Sequence, residues 1–303
     1  MLSIIIPVFN EAQSIPALCN QLSSFCKGTY EVILVDDGSS DDTLAAIKTI
    51  AAKNHQFKCI SLSRNFGHQN ALMAGMEHAL GTVIIIMDGD LQHPPSLIPI
   101  MLTKLEQGYD LVQTRRIKTE NIGWVKTVMA AIFYRFINLI SDTRIEPNVA
   151  DFKAFNRKVL NSLLQFKERE LFLRGLFSWI GYKTTTIEFD APARQYGKTK
   201  YSFGKMLKLA LKGTTSFSFK PLRLALLAGA SISLIAFSFG LFALYAHFKG
   251  QTVPGWTSLI IAIMFLGGTQ LLAIGLLGEY IASLFTETKQ RPLYLVNETI
   301  NID

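Results

Sequence analysis

Two apolar stretches in the last third of the chain, residues 222–248 and 257–285, constrain its fold more than any other feature. The first carries Arg223 near its start and no other charge, and the second carries only Glu279. Each exceeds the roughly 20 residues that cross a bilayer core of about 30 Å, which predicts two transmembrane helices. A buried hairpin of a soluble protein is the alternative. Lys205, Lys208, Lys212, Lys220 and Arg223 gather before the first stretch, Lys289 and Arg291 follow the second, and the connecting loop offers Lys249 alone. This asymmetry places both termini in the cytosol and makes the chain a multi-pass protein of an inner or plasma membrane. The same cations account for the net charge of +7, so a membrane surface explains it without nucleic acid. Cys19, Cys26 and Cys59 are odd in number and unpaired in spacing, which fits neither a disulfide framework nor a zinc site and suits a reduced compartment.

The first two hundred residues read as a soluble domain. Leu2 to Val8, Glu31 to Val35, Phe57 to Leu62, Val83 to Met87 and Asp110 to Thr114 are short, β-branched and apolar, and helical patterns of ten or more residues separate them. That alternation predicts an α/β fold with a Rossmann-like, mostly parallel sheet covered on both faces. The boundaries follow: a cytosolic α/β domain over 1–200, a basic amphipathic juxtamembrane segment over 201–221, the two spans over 222–285, and a cytosolic tail over 286–303. The start, Met1-Leu-Ser-Ile-Ile-Ile-Pro7, lacks a basic n-region and reads as a strand rather than a signal peptide.

Ligands of such sheets bind at the carboxyl ends of the strands, and four of those ends are polar: Asn10-Glu11, Asp36-Asp37, Arg64-Asn65 and Asp88-Gly-Asp90. The Asp36-to-Ser40 turn also offers caps for a helix starting near Asp41. Asp88 and Asp90 are one residue apart at the end of a buried strand, with Gln92 close by. They could converge on one cation, and oxygen ligands suit Mg²⁺ or Mn²⁺ rather than zinc. A polar corner capped by Asp90 before Pro94 and Pro95 is the plainer reading, because D-x-D is a common tripeptide. No G-x-G-x-x-G follows the first strand and no P-loop occurs, so a bound nucleotide would need the metal for its phosphates.

Three further segments stand out. Residues 122–141 are aromatic and amphipathic, either a core-facing helix or one lying at a membrane interface. Asp151 opens a short extended run. Arg194, Lys198 and Lys200 lie in a loop with Gly197 and two tyrosines, either an ordinary charged surface loop or one that closes over phosphates.

Taken together, Ile6-Pro-Val-Phe-Asn-Glu11, Val35 to Thr43, Ser63-Arg-Asn-Phe-Gly67 and Asp88 to Pro95 closely resemble the signatures of family 2 inverting glycosyltransferases with the GT-A fold. The branch it resembles includes dolichol-phosphate mannose synthase and the bacterial polyisoprenyl-phosphate glycosyltransferases such as bactoprenol glucosyltransferases. Arg194 to Tyr201, Lys220-Pro-Leu-Arg223, Leu277-Gly-Glu-Tyr280 and Arg291-Pro292 extend the resemblance over nearly the whole chain. One departure stands out: Ala282-Ser-Leu-Phe285 occupies a place where relatives often carry Gly-Arg-Ile-Tyr.

The resemblance implies roles. Pro7, Asn10, Glu11 and Asp36 would hold the nucleotide, with Arg64 near the donor. Asp88, Asp90 and Gln92 would hold the metal that bridges the donor diphosphate. Asp90 and Asp151 would be the acidic groups of the catalytic centre, and Arg194, Lys198 and Lys200, with Arg115 and Arg116, would meet the acceptor phosphate. The implied reaction transfers glucose from UDP-glucose to undecaprenyl phosphate with inversion. GDP-mannose and UDP-N-acetylglucosamine stand behind UDP-glucose as donors. A polysaccharide synthase lacks support, since no Q-x-x-R-W occurs, and a non-catalytic lipid carrier would need no converging loops. Gly267-Gly268 and Gly275 to Gly278 suit close helix packing, in a homo-oligomer or within one hairpin.

Overall fold

The computed structural model describes residues 1–26, 28–117, 149–169, 171–190, 192, 220–249 and 255–302. Strand β1 (Leu2–Val8) is followed by α1 (Ile15–Phe25), β2 (Tyr30–Asp36), α2 (Thr43–Lys53), β3 (Phe57–Leu62), α3 (His68–His78) and β4 (Val83–Ile86). Helix α4 (Ile98–Glu106), β5 (Leu111–Arg116), β6 (Val149–Asn156), α5 (Arg157–Leu163), α6 (Leu173–Trp179) and β7 (Thr184–Phe189) complete the α/β part. Helices α7 (Lys220–Phe248) and α8 (Trp256–Thr288) come next, and β8 (Val296–Ile300) ends the chain.

The eight strands form one mixed sheet in the order β7-β5-β6-β4-β1-β2-β3-β8. β1 pairs in parallel with β2 and β4, β2 with β3, and β5 with β7. β6 runs antiparallel between β4 and β5, so the expected mostly parallel α/β sheet is present. Alternation along β1 divides the core. Ile4, Ile6 and Val8 pack with Leu18 and Leu22 of α1 and Ile47 of α2. Ile5 faces the other way, toward Ala71 and Met73 of α3, with Leu176 and Phe177 of α6 on the same side of the sheet. Strands buried on both faces have no polar side to spare, which is why they read as continuous apolar runs.

Two details bear on the site and on the sheet edge. Helix α1 begins only at Ile15, and Asn10 before it takes a left-handed φ of 56°. The backbone N–H groups of Asn10 and Glu11 donate instead to Ser39 Oγ (2.9 Å) and Thr43 Oγ1 (2.8 Å). The final residues are not a free tail. β8 adds antiparallel to β3 at the sheet edge, and its start is fixed by Ser63 N–H donating to Leu295 O at 2.9 Å. Covering β3 in this way removes an exposed edge.

Gly38 joins two of the polar loops. Its φ is +67°, and a Cβ there would lie 2.7 Å from Arg64 Cα. Gly38→Ala is expected to lower stability by about 2–4 kcal/mol through left-handed strain and this clash, measured by thermal or denaturant unfolding. An unchanged midpoint would show that the Arg64 loop yields freely.

Helices α7 and α8 contain segments, Leu222–Phe242 and Ala262–Thr288, long and apolar enough to cross a membrane, with none of either window buried within the protein. Leu226, Leu234 and Phe239 on α7 and Leu272 and Ile274 on α8 are each more than 60% exposed. So large an apolar surface is unfavourable in water and matches hydrocarbon. Residues 122–141, and 201–219 of the basic juxtamembrane segment expected over 201–221, lie outside the described residues.

Candidate active site

The site is built from loops at the carboxyl ends of β1 to β4. Asp36 ends β2 in register with Val8 and Ser61. It is buried, accepts from Ser39 N–H at 3.1 Å and lies 3.3 Å from the Ser61 hydroxyl that donates to it. Its neighbour Asp37 accepts from the backbone N–H groups of Phe66 (2.7 Å) and Gly67 (2.9 Å), tying the β2 loop to the β3 loop. Burial pushes the Asp37 carboxyl up, and Asp36 beside it adds to that. Asn10 Oδ1 accepts from Ser40 N–H at 2.9 Å, and Glu11 accepts from the Ser14 hydroxyl at 3.2 Å. Pro7 sits in β1 past its last pair with β4 at Ile5 and Ile86, where a missing N–H is tolerated. Arg64 is exposed, with its guanidinium 4.3 Å from the centre of the Phe66 ring.

Strand β4 ends in the carboxylate corner. Asp88 Oδ1 lies 2.8 Å from His68 Nε2, at the first turn of α3. The Asp88 N–H donates to Nδ1 of the buried His93 at 2.9 Å, and His93 Nε2 lies 3.7 Å from Asp88 Oδ2. His93 is stacked on Phe152 with ring centres 5.1 Å apart. Burial alone would raise the Asp88 carboxyl, but the two imidazoles hold it below its usual value, and Asp88 in turn raises His68 against its own burial. Asp90 Oδ1 accepts from Gln92 N–H at 3.1 Å. Leu91 between them is nearly buried with φ at 63°. A non-glycine residue held left-handed costs about 1–3 kcal/mol, and its burial against the core holds the corner in shape.

β6 brings a second acid alongside. Asp151 accepts a two-pronged ion pair from Arg174 of α6, at 2.9 Å from Nε and 2.7 Å from Nη2. Burial opposes its charge, but Arg174 overrides this and holds the carboxyl far below the ordinary range. Two residues along the same strand face, Lys153 is 1% exposed and donates to Ala150 O at 2.7 Å. Burial lowers its ammonium to about 8, against the attraction of Asp151. A buried ammonium with one carbonyl acceptor among the described residues and the Phe177 ring 5.6 Å away is costly to keep, so its field on Asp151 and Asp88 is the compensating effect. Lys153→Met is expected to leave the melting temperature unchanged or raise it, as apolar replacement of buried charge often does. Turnover should fall about tenfold as the acid loses a supporting cation. Paired melting and rate measurements check this; a lower melting point at full activity would contradict it.

The structure thus gathers Asp36, Asp88, Asp90, Gln92 and Asp151 at one end of the sheet. It separates the two arginines of β5. Arg115 points to Glu188 at 3.8 Å, on the β7 side. Arg116 turns to the carboxylate corner, with Nη1 donating to Gln92 Oε1 at 3.3 Å and Nη2 3.3 Å from His93 Nε2. Of the adjacent pair, Arg116 reaches the carboxylate corner. Arg194, Lys198 and Lys200 lie outside the described residues. His68, His93, Arg174 and Lys153 were not anticipated. Lys153 could have been, because it stands two positions from Asp151 on a strand, whereas Arg174 carries no local signal.

Among the described residues no three His, Cys, Asp or Glu side chains form a metal cage. Two carboxylates and an amide oxygen nonetheless fit a hard cation, since Mg²⁺-type ions commonly take one or two carboxylates and fill their other positions with substrate phosphates and water.

Residues 3–164 match the profile of glycosyl transferase family 2, and the chain belongs to that family. It is therefore a glycosyltransferase, and its sheet is the expected GT-A arrangement. An uncharacterized glycosyltransferase of Synechocystis is 41% identical over 98% of this chain and 95% of its own length. The YkcC glycosyltransferase of Bacillus subtilis, also uncharacterized, is 39% identical over 99% of this chain and 94% of its own. A prophage bactoprenol glucosyl transferase homolog of Escherichia coli is 39% identical over 97% and 98%.

Proposed function

We propose that the protein transfers glucose from UDP-glucose to undecaprenyl phosphate, with inversion at the anomeric carbon. It does so as a multi-pass inner-membrane enzyme with its catalytic domain and both termini in the cytosol. One observation carries this reading. The Asp88-Gly-Asp90 corner and the Asp151–Arg174 pair share one sheet end in a chain whose last two helices expose apolar side chains along their length. The bactoprenol glucosyl transfer named for relatives from Escherichia coli and Shigella phages, at 37–39% identity over almost all of both chains, supports the lipid and the sugar.

In this reading Pro7, Asn10, Glu11 and Asp36 border the base and ribose, with Arg64 nearby. Asp88, Asp90 and Gln92 would hold Mg²⁺ or Mn²⁺, which when bound supplies positive charge to the donor diphosphate as the nucleotide departs. Arg116 keeps the Gln92 amide turned toward the corner. The acceptor arrives charged, because a phosphate monoester has a second pKa near 6, and it needs no strong base. Asp151 suits that limited demand. Held by Arg174 well below the usual carboxylate range, it is a poor proton acceptor and orients groups instead. Arg194, Lys198 and Lys200 would meet the acceptor phosphate. Residues 1–200 make up the catalytic domain, to which β8 contributes a strand, and 201–221 lead into the spans.

A panel of UDP-glucose, GDP-mannose and UDP-N-acetylglucosamine, offered to the purified full chain with undecaprenyl phosphate and Mg²⁺ or Mn²⁺, tests the donor and the acceptor together. Glucose appearing on the lipid is the expected result; preferred transfer of mannose from GDP-mannose would overturn it.

A further inference from the structure

Outside the catalytic centre the chain builds a second basic site, where the end of α8 meets the α/β domain. Two segments far apart in sequence contribute the cations: the loop between α5 and α6 supplies Arg169, and the link from α8 to β8 supplies Lys289 and Arg291. With Phe285, Pro292 and Leu293 they line a cavity of about 240 Å³. Neither guanidinium has an ion-pair partner among the described residues, and the Lys289 ammonium lies 4.0 Å from the centre of the Phe285 ring. The nearby acids are turned to other tasks. Glu287 accepts the backbone N–H of Arg169 at 2.7 Å, which fixes the loop against α8, and Glu168 is pushed up by burial and by Glu287. Neither lines the cavity.

Three cations from two segments lining one cavity call for an anion. The volume is below the roughly 300–1,000 Å³ of pockets that enclose whole small molecules, so a nucleotide sugar does not fit, whereas a phosphodiester with part of its glycerol does. The site also stands at one level of the molecule. The apolar window of α8 closes at Thr288, one residue before Lys289. Below it, Ile281 and Leu284 are 56% and 63% exposed, a surface for acyl chains. Basic pockets at the ends of transmembrane helices on the cytosolic side suit anionic head groups. The lining shares no residue with the carboxylate corner or the Asp151–Arg174 pair.

We infer that this cavity binds the phosphate head group of an anionic bilayer phospholipid, seating the α/β domain on the membrane at a point separate from the catalytic centre. The inference rests on the reading of α7 and α8 as membrane spans. It does not depend on which sugar is transferred.

The test is native mass spectrometry of the full chain in detergent, titrated with phosphatidylglycerol and, separately, with phosphatidylcholine. The wild type should retain phosphatidylglycerol in preference to phosphatidylcholine. Arg169→Gln combined with Arg291→Gln should weaken that retention about tenfold or more, in keeping with the loss of two charge-assisted contacts. Lys289→Gln, a milder change, should weaken it by a smaller factor, while Lys104→Gln on α4 should not. UDP-glucose binding, measured on the same variants, should be unchanged, and its absence from every protein including the wild type would count against the proposed donor rather than the lipid site. Equal retention of the two lipids by the wild type, or equal phosphatidylglycerol retention by wild type and double variant at matched melting temperatures, would overturn the inference. So would stoichiometric displacement of phosphatidylglycerol by undecaprenyl phosphate, which would assign the cavity to the acceptor.

Discussion

Asp88→Asn is expected to lower kcat/KM by roughly three orders of magnitude, about 4 kcal/mol of lost transition-state stabilisation. The carboxylate it removes stands at the centre of the charge arrangement, 2.8 Å from His68 and beside His93. The folded protein should tolerate the change. Asp88 is more than a quarter exposed at its side chain and receives only part of its support from buried groups. Its loss also relieves repulsion with Asp151. The variant should therefore melt within a few degrees of the wild type, while the His68 imidazole falls toward its ordinary value as its raising partner disappears. Asp90→Asn should follow the same course. Steady-state rates with melting curves check both, and near-full activity in either variant would remove the metal–diphosphate role from this corner. Asp151→Asn should cost less than either, because the acceptor phosphate arrives ionised.

Arg174→Met is the second large effect. It removes both hydrogen bonds that Asp151 accepts from the guanidinium and leaves Lys153 as the nearby cation. Breaking a fully buried pair costs roughly 3–5 kcal/mol; with these side chains a quarter to a third exposed, solvent screening reduces that to about 1–3 kcal/mol. Activity should fall about a hundredfold as the acid loses its fixed orientation. The pH dependence gives a sharper signature. In the wild type the Asp151 carboxyl lies far below its usual value, so its stabilising contribution is complete above the unfolded pKa of about 3.9 and is lost only as pH falls below that. In the variant burial dominates and the carboxyl rises, which brings an acid limb into the rate profile above pH 4 and narrows the stability difference from wild type as pH drops. Arg174→Lys should recover part of the activity, since it restores the charge without the fork. An unchanged acid limb would mean that Asp151 is not the group that Arg174 governs.

Much of this site was legible because its parts lie at strand ends. The β-branched runs Leu2–Val8 and Val83–Ile86 mark buried strands, and a parallel sheet brings their carboxyl ends together whatever the loop details. The order of those strands places Asp36 and Asp88 on either side of β1 without further information. What the sequence could not convey depends on long-range contact. Arg174 reaches Asp151 across 23 positions of sequence. That Arg116 reaches the corner depends on which face of β5 turns to it, and β6, which pairs with β5, is far off in sequence. The return of the last residues as β8 was hidden for a different reason. Val296-Asn-Glu-Thr-Ile300 alternates only weakly and follows a span, so its pairing with β3 is decided by an open sheet edge rather than by its own pattern. That strand also changes how the spans can be tested. Removing residues 222–303 would strip β8 from β3 as well as the membrane helices, and lost activity could then arise from an uncovered edge. Excising the spans while retaining residues 290–303 on a flexible linker separates the two effects.

Direct displacement of the nucleotide by a membrane lipid phosphate fixes the configuration of the transferred glucose. Membranes containing the full chain are incubated with radiolabelled UDP-glucose, and the anomeric configuration of the organic-extractable product is determined. Label in an acid-labile, alkali-stable lipid with the β configuration, opposite to that of the donor, and its disappearance with Asp88→Asn, is the predicted result. Label retained in the α configuration, or found in polymer rather than lipid, would contradict it.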